Sequence, residues 1–216
     1  GAQKVLFLHG WQSHTFRWIK YILQLQEKDY TIYALDGPAH GNSDGEIMNV
    51  PLYEKVLETF IEQYGEMDFY AGHSLGAFTI LYACYRQVIK RAKGLIILGC
   101  PGNAQDFVDV YSDALDLSPK AKDVITNYFK KKYNKTPDYF TSERFSQNLH
   151  FPGLIVHDKD DADAPFHYAE KLHDDWPEST FHATTGLKHK LRSEEVVNRV
   201  VDYMDTISAN GSQNKV

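Results

Sequence analysis

Ser74 has Gly72 two positions before it and Gly76 two after. Phe69, Tyr70 and Ala71 precede the group, and Leu75, Phe78, Leu81, Tyr82, Val88 and Ile89 follow it at helical spacing. A serine so placed sits on a tight strand-to-helix turn that strains any residue with a Cβ. The flanking glycines let strand and helix pass closely without clashing. Its Oγ then projects from the carboxyl edge of a sheet at the positive end of a helix, the setting of a nucleophile. The pattern by itself is weak, because 14 glycines in 216 residues will sometimes bracket a serine by accident. A glycine-lined turn without chemistry is the bland alternative.

A serine hydroxyl becomes a useful nucleophile when a base lies within hydrogen-bond reach and a third group holds that base's tautomer. Two later stretches end strand-like runs and carry the right residue types. One contains His157, Asp158, Asp160, Asp161 and Asp163 before Pro165; the other runs from Thr184 through Gly186 to Lys188 and His189. The chain has 10 histidines. His73 lies inside the serine turn, pointing away and packing; His9 and His40 fix loops. Strand alternation turns His182 inward, and His167 and His173 belong to the helix after Pro165. His189 is read as the base, because it stands at the one loop position that can face both the serine and an aspartate.

The elements that must position these groups alternate. Strands are expected at 5–8, 31–35, 68–71, 94–99, 153–157 and 180–183. Helices are expected from Trp18 to Leu25, over 53–64, after Ser74, and through Val196, Val200, Met204 and Ile207. The run Val5, Leu6, Phe7, Leu8 is apolar throughout, as a strand buried on both faces requires. Alternation of this kind predicts an α/β fold with an open, mostly parallel sheet of about six strands flanked by helices. Residues 103–150 contain no strand pattern, only helical stretches near 107–115, 121–133 and 139–145. They read as a short helical cap inserted after the fourth strand, lying over the carboxyl edge. Phe107, Tyr111, Tyr128, Phe129, Tyr133, Tyr139, Phe140 and Phe145 make it aromatic, mostly for packing, with a few lining an acyl-sized pocket. The expected division is a core of 1–102 and 151–207, a cap of 103–150 and a frayed polar tail of 208–216.

The totals suit one such domain. Apolar residues make up 43% of the chain and its formal net charge is −6. Lys130, Lys131 and Lys132 form the only basic cluster, read as a solvated helix face and not a nucleic-acid site. Cys84 and Cys100 lack metal-ligand spacing and read as buried thiols of a reducing compartment. No apolar run spans a membrane, and 5–8 is too short for a cleavable signal peptide. The expectation is a cytoplasmic protein, although the chain starts at Gly1 and not at a methionine. Oligomeric state is not legible.

These motifs together resemble the α/β-hydrolase family from near the first residue to about Met204. Gly72-x-Ser74-x-Gly76 resembles its nucleophile elbow. His9–Gly10–Trp11 resembles its turn after an early strand, and 36–43 its Asp-x-Pro-Gly-His-Gly-x-Ser loop, with Ala39 replacing a glycine. Residues 157–165 resemble its acid loop and 186–189 its histidine loop. The resemblance implies Ser74 as nucleophile, His189 as base and Asp161 as acid, the last because it stands four before Pro165. It also implies an oxyanion hole from the backbone N–H groups of Leu75 and Trp11. Four aspartates within six positions leave Asp160 as an alternative acid, with Asp158 and Asp163 behind it. The activity implied is hydrolysis of a carboxylic ester or thioester of a small to medium acyl substrate, with no metal or organic cofactor. The alternatives are a C–C bond hydrolase or lyase on the same three residues, and a low-turnover small-molecule binder.

Overall fold

A computed structural model describes residues 1–147 and 149–213. The side chains of 111, 114 and 211–213 lie outside the description, so Tyr111 is not placed among the cap aromatics. In chain order the elements are β1 (Gln3–Leu8), α1 (Ile19–Leu25), β2 (Tyr30–Leu35), α2 (Val50–Tyr64), β3 (Phe69–His73), α3 (Leu75–Tyr85) and β4 (Gly94–Leu98). Then come α4 (Ala104–Ala114), α5 (Pro119–Tyr133), α6 (Ser142–Ser146), β5 (Gly153–Asp158), α7 (His167–Asp174), β6 (Ser179–Thr184) and α8 (Glu194–Gln213). The six strands form one parallel sheet in the order β2-β1-β3-β4-β5-β6. Since the order reverses direction between β1 and β3, the carboxyl ends of those two strands open a crevice.

Alternate residues of each strand feed opposite faces. Leu6 and Leu8 join α2, α3 and α7 on one side, through Tyr53, Leu57, Phe78, Leu81 and Leu172. Val5 and Phe7 join α1 and α8 on the other, through Trp18, Tyr21, Leu25, Val196, Val200 and Met204. The Phe7 and Trp18 rings lie 4.8 Å apart, a pairing worth about 1 kcal/mol beyond the area it buries.

Several boundaries differ from the sequence expectation, each for a local reason. Helix α2 begins at Val50 because the Asn49 side chain accepts the Leu52 N–H at 3.0 Å and Pro51 needs no amide partner in the first turn. The helix expected near 139–145 is a 3-10 turn, Pro137–Tyr139, followed by α6. The two are separated where Thr141 bridges to Asn103 and caps Arg144. Helix α8 continues to Gln213, through part of the segment expected as a tail, with Ser208 Oγ bonded to the Met204 carbonyl. His182 is not turned into the core. Strand β6 is an edge with one neighbour, and the imidazole bonds Glu195 at 2.8 Å near the surface. Among the described residues, no helix is long and apolar enough to cross a membrane.

Candidate active site

Ser74 occupies the single residue between β3 and α3, with φ 53° and ψ −122°. That conformation is costly for a residue with a Cβ, on the order of 1–3 kcal/mol, and persists because its surroundings over-determine it. The Ser74 amide donates to Leu98 O at 2.9 Å, and its carbonyl accepts from Phe78 N–H at 3.0 Å. The flanking glycines are needed for space. A Cβ at Gly72 would fall 2.5 Å from the Ala77 nitrogen, and one at Gly76 would fall 2.3 Å from the Leu8 carbonyl oxygen. The elbow is thus wedged against β1, and Ser74 is 97% buried.

The expected base and acid arrive from the ends of the last two strands. His189 lies in a 3-10 turn, Lys188–Lys190, after β6, and Asp161 in the loop after β5. The His189 Nε2 is 2.9 Å from Ser74 Oγ, and its Nδ1 is 2.8 Å from Asp161 Oδ2. A carboxylate only accepts, so Nδ1 carries the proton and Nε2 is left to accept from the hydroxyl. The other Asp161 oxygen accepts the amides of Asp163 and Ala164 at 3.0 and 2.9 Å, which fixes the carboxylate's plane.

The remaining aspartates do other things. Asp158 accepts from Thr184 Oγ1 at 2.7 Å, Leu187 N–H at 2.9 Å and Asp160 N–H at 3.0 Å. Burial pushes its carboxyl pKa up, but these donors outweigh burial and hold it below the ordinary value. Asp160 accepts the Gly186 amide at 2.9 Å. Both therefore tie the histidine loop to the acid loop, and only Asp161 reaches the imidazole. Asp163 is exposed.

Two other histidines brace the site. The His73 Nε2–H donates to the carbonyl of His189 at 2.7 Å, and the two rings lie 4.9 Å apart. His157 donates from Nε2 to Ala164 O at 2.7 Å, just behind Asp161. Desolvation pushes the pKa of both below the usual imidazole value, which keeps them neutral donors. The grip of His73 on the base's own backbone has no signal in the sequence, since that position of the elbow pattern accepts any residue.

Leu75 opens α3, so its N–H has no partner within the helix. Trp11 follows Gly10 in the turn after β1, where Gly10 lies so close that a Cβ would meet the Ser74 Cβ at 2.8 Å. This turn is braced from the loop after β2. His9 donates to Gly10 O at 2.7 Å and accepts from Gly37 N–H at 2.8 Å, and His40 accepts from Gln12 N–H at 3.0 Å. Asp36 accepts the Thr15 and Asn42 amides at 2.7 and 3.0 Å. Beyond Leu75 and Trp11 a cavity of about 370 Å³ runs under α4 and α5, lined by Met48, Val50, Phe78, Phe107, Phe129 and Phe140 among others.

The residue types for a cation come together among the described residues in Asp161, Asp163 and His189, whose ligand atoms lie within 4.8 Å of one another. Both ring nitrogens of that histidine are already engaged with Ser74 and Asp161, which leaves a cation no imidazole lone pair.

The family model described as Serine aminopeptidase, S33, matches residues 2–144, about two thirds of the chain and including the elbow. The chain belongs to that family of α/β hydrolases. Solved structures similar to this S33-family chain include a monoacylglycerol lipase from Paleococcus ferrophilus, 18% identical, covering 94% of each chain with a TM-score of 0.71. Another is a bromoperoxidase from Bacillus anthracis, 16% identical, covering 94% of this chain and 92% of that one, with a TM-score of 0.75. A third is Est1E from Butyrivibrio proteoclasticus with ferulic acid bound, 17% identical, covering 96% and 90%, with a TM-score of 0.70. At these identities the likeness is one of fold. No curated protein matches the chain at a significant level.

Proposed function

We propose that this S33-family chain is a serine hydrolase that cleaves carboxylic esters or thioesters of small to medium acyl groups through an acyl-enzyme. The observation that carries the reading is one imidazole with the Ser74 hydroxyl 2.9 Å from one nitrogen and the Asp161 carboxylate 2.8 Å from the other. His189 takes the Ser74 proton as Oγ attacks the carbonyl carbon, and Asp161 stabilises the imidazolium that forms. The tetrahedral oxyanion is held by the N–H groups of Leu75 and Trp11, each worth about 3 kcal/mol. His189 then passes the proton to the leaving oxygen or sulfur. Water, deprotonated by the same imidazole, releases the acid and restores Ser74. The hydrocarbon lining of the adjoining cavity supports an acyl group and not a charged peptide terminus. The unpaired thiols of Cys84 and Cys100 support work in a reducing compartment such as the cytoplasm.

The test is turnover of 4-nitrophenyl esters from acetate to dodecanoate, with the matching CoA thioesters, by the parent protein and by Ser74→Ala. The parent is expected to hydrolyse the medium chains best and the variant to lose at least about 10⁴-fold in kcat. Equal rates in the two proteins would overturn the reading.

A further inference from the structure

Behind the histidine loop, on the face of the sheet away from the cap, a second cavity of about 150 Å³ opens between the starts of α1 and α8. Three cations line it: Arg17 in the turn before α1, Lys20 on α1 and Arg192 just ahead of α8. Among the described residues none of the three forms a salt bridge. The acids that follow in the chain, Glu194 and Glu195, are not in the wall, and Glu195 is bonded to His182 at 2.8 Å. Arg17 is half-buried, its Cζ 5.5 Å from the centroid of the Trp18 ring. Its Nη2–H donates to Lys190 O at 2.8 Å in a bond at the exposed surface, so the outer edge of the guanidinium is reachable. Burial pushes its pKa down to about 10, with Tyr21 opposing the fall and Arg192 adding to it. A guanidinium drawn partly out of water beside a second one carries an uncompensated charge, and charges so placed are ordinarily matched by an anion. Ser193, whose Oγ caps the Val196 amide at 3.1 Å, is in the same wall, so the positive end of α8 lies there as well. Between the cations the wall is hydrocarbon, from Ile19, Leu191 and Val197.

We infer that this cavity binds a small organic oxyanion, a carboxylate or phosphate with a short hydrocarbon part, and that its occupant acts on the loop carrying His189. Planar guanidiniums suit both kinds of oxyanion, and the apolar wall takes the hydrocarbon. The volume is many times the roughly 10–15 Å³ that one enclosed water requires, which leaves room for several heavy atoms. The link to the loop is Arg17, which already holds the carbonyl one residue past His189. Binding there is independent of turnover, so the hydrolase reading can fail without it.

The test is calorimetric titration of the parent and of Arg192→Gln with hexanoate, hexyl phosphate, inorganic phosphate and hexanol, at one ionic strength. Arg192 makes no hydrogen bond or salt bridge among the described residues, so the variant should fold. Hexanoate or hexyl phosphate binds the parent, the stronger of the two naming the oxyanion, and Arg192→Gln weakens that binding at least about tenfold. Hexanol and inorganic phosphate, each lacking one half of the ligand, bind at least about tenfold more weakly than the better amphiphile. Hydrogen exchange over residues 188–193 slows when the parent is saturated with that amphiphile, and does not slow in Arg192→Gln at the same concentration. The inference is overturned if neither amphiphile binds, or if inorganic phosphate or hexanol binds as well as they do. An affinity unaltered in Arg192→Gln also overturns it, since the ligand would then sit elsewhere, as in the acyl cavity. Unchanged exchange over 188–193 in the saturated parent overturns the link to the histidine loop.

Discussion

The two ends of the substrate path are built differently. At the carboxyl edge of β3, β5 and β6, every group of the proposed triad is held by backbone. Ser74 is pinned through its own amide and carbonyl, Asp161 by two amides, and His189 through its carbonyl by His73. In the cap, α5 buries none of its residues, and Val110, Leu115, Val124 and Tyr128 reach solvent. Few side chains anchor it, among them Phe129 in the cavity wall and Tyr133 on Asn49. Chemistry is assigned to the rigid edge, and choice of substrate to a layer whose packing leaves it free to vary. A scaffold that fixes a site while a looser layer selects the ligand is the common division of labour in open α/β sheets.

The contrast can be broken most forcefully at the acid loop. Asp161→Asn should present an amide where Nδ1–H needs an acceptor, and lower kcat by roughly 10⁴-fold with little loss of stability. Asp158→Asn, two strands' ends bound through one carboxylate, should do the reverse. Losing charge-assisted bonds from Thr184 and Leu187 costs about 2 kcal/mol of stability, read as a lower urea midpoint, with kcat reduced far less. If the two variants behave alike, the distinction between acid and brace drawn from the hydrogen bonds is wrong.

A smaller effect is expected in the cap. Phe129→Ala enlarges the cavity, and should move the chain-length optimum towards longer acyl groups, changing the octanoate-to-dodecanoate ratio of kcat/KM by about tenfold. The acetate rate serves as the control, since two carbons do not reach α5. A uniform fall for all chain lengths would instead make Phe129 part of the chemical edge.

The smallest effect is on acid tolerance. His9, His73 and His157 have pKa values pushed below 6.5, in each case foremost by burial. Unfolded, they take up protons near pH 6.5; folded, they resist. Their contribution is therefore complete above pH 6.5 and is lost as the pH falls below it towards the folded values. All three belong to the rigid edge, and residues 103–149 contain no histidine. The urea midpoint should fall between pH 7.5 and 5.5, and fall less in His157→Gln. A midpoint that rises on acidification would contradict the neutral, buried imidazoles described here.

What was legible in the sequence follows the same division. Apolar runs that stop at Gly, His or Asp mark strand ends, so all six strands and the parallel sheet could be read, as could the positions of Ser74 and His189. Asn49 before Pro51 was a visible helix start that the apolar spacing from Tyr53 obscured. Among the four aspartates only the family spacing, four before Pro165, favoured Asp161; the residue types alone left the others open, because the choice depends on which carboxylates the histidine loop's amides occupy. The cavity assembles Met48, Phe78, Val108 and Phe129 from four separate elements, which no local pattern brings together. His182 was misread because alternation predicts a face but not whether anything covers it at a sheet edge.

The most direct measurement is the mass of the folded protein after exposure to a fluorophosphonate, with the adduct located by peptide sequencing, for the parent and for His189→Ala. The arrangement of hydroxyl, imidazole and carboxylate predicts one phosphonyl group on Ser74 in the parent and a rate of labelling slower by orders of magnitude in the variant. A parent that takes up no label, or a variant labelled as fast as the parent, would contradict an activated serine at this site.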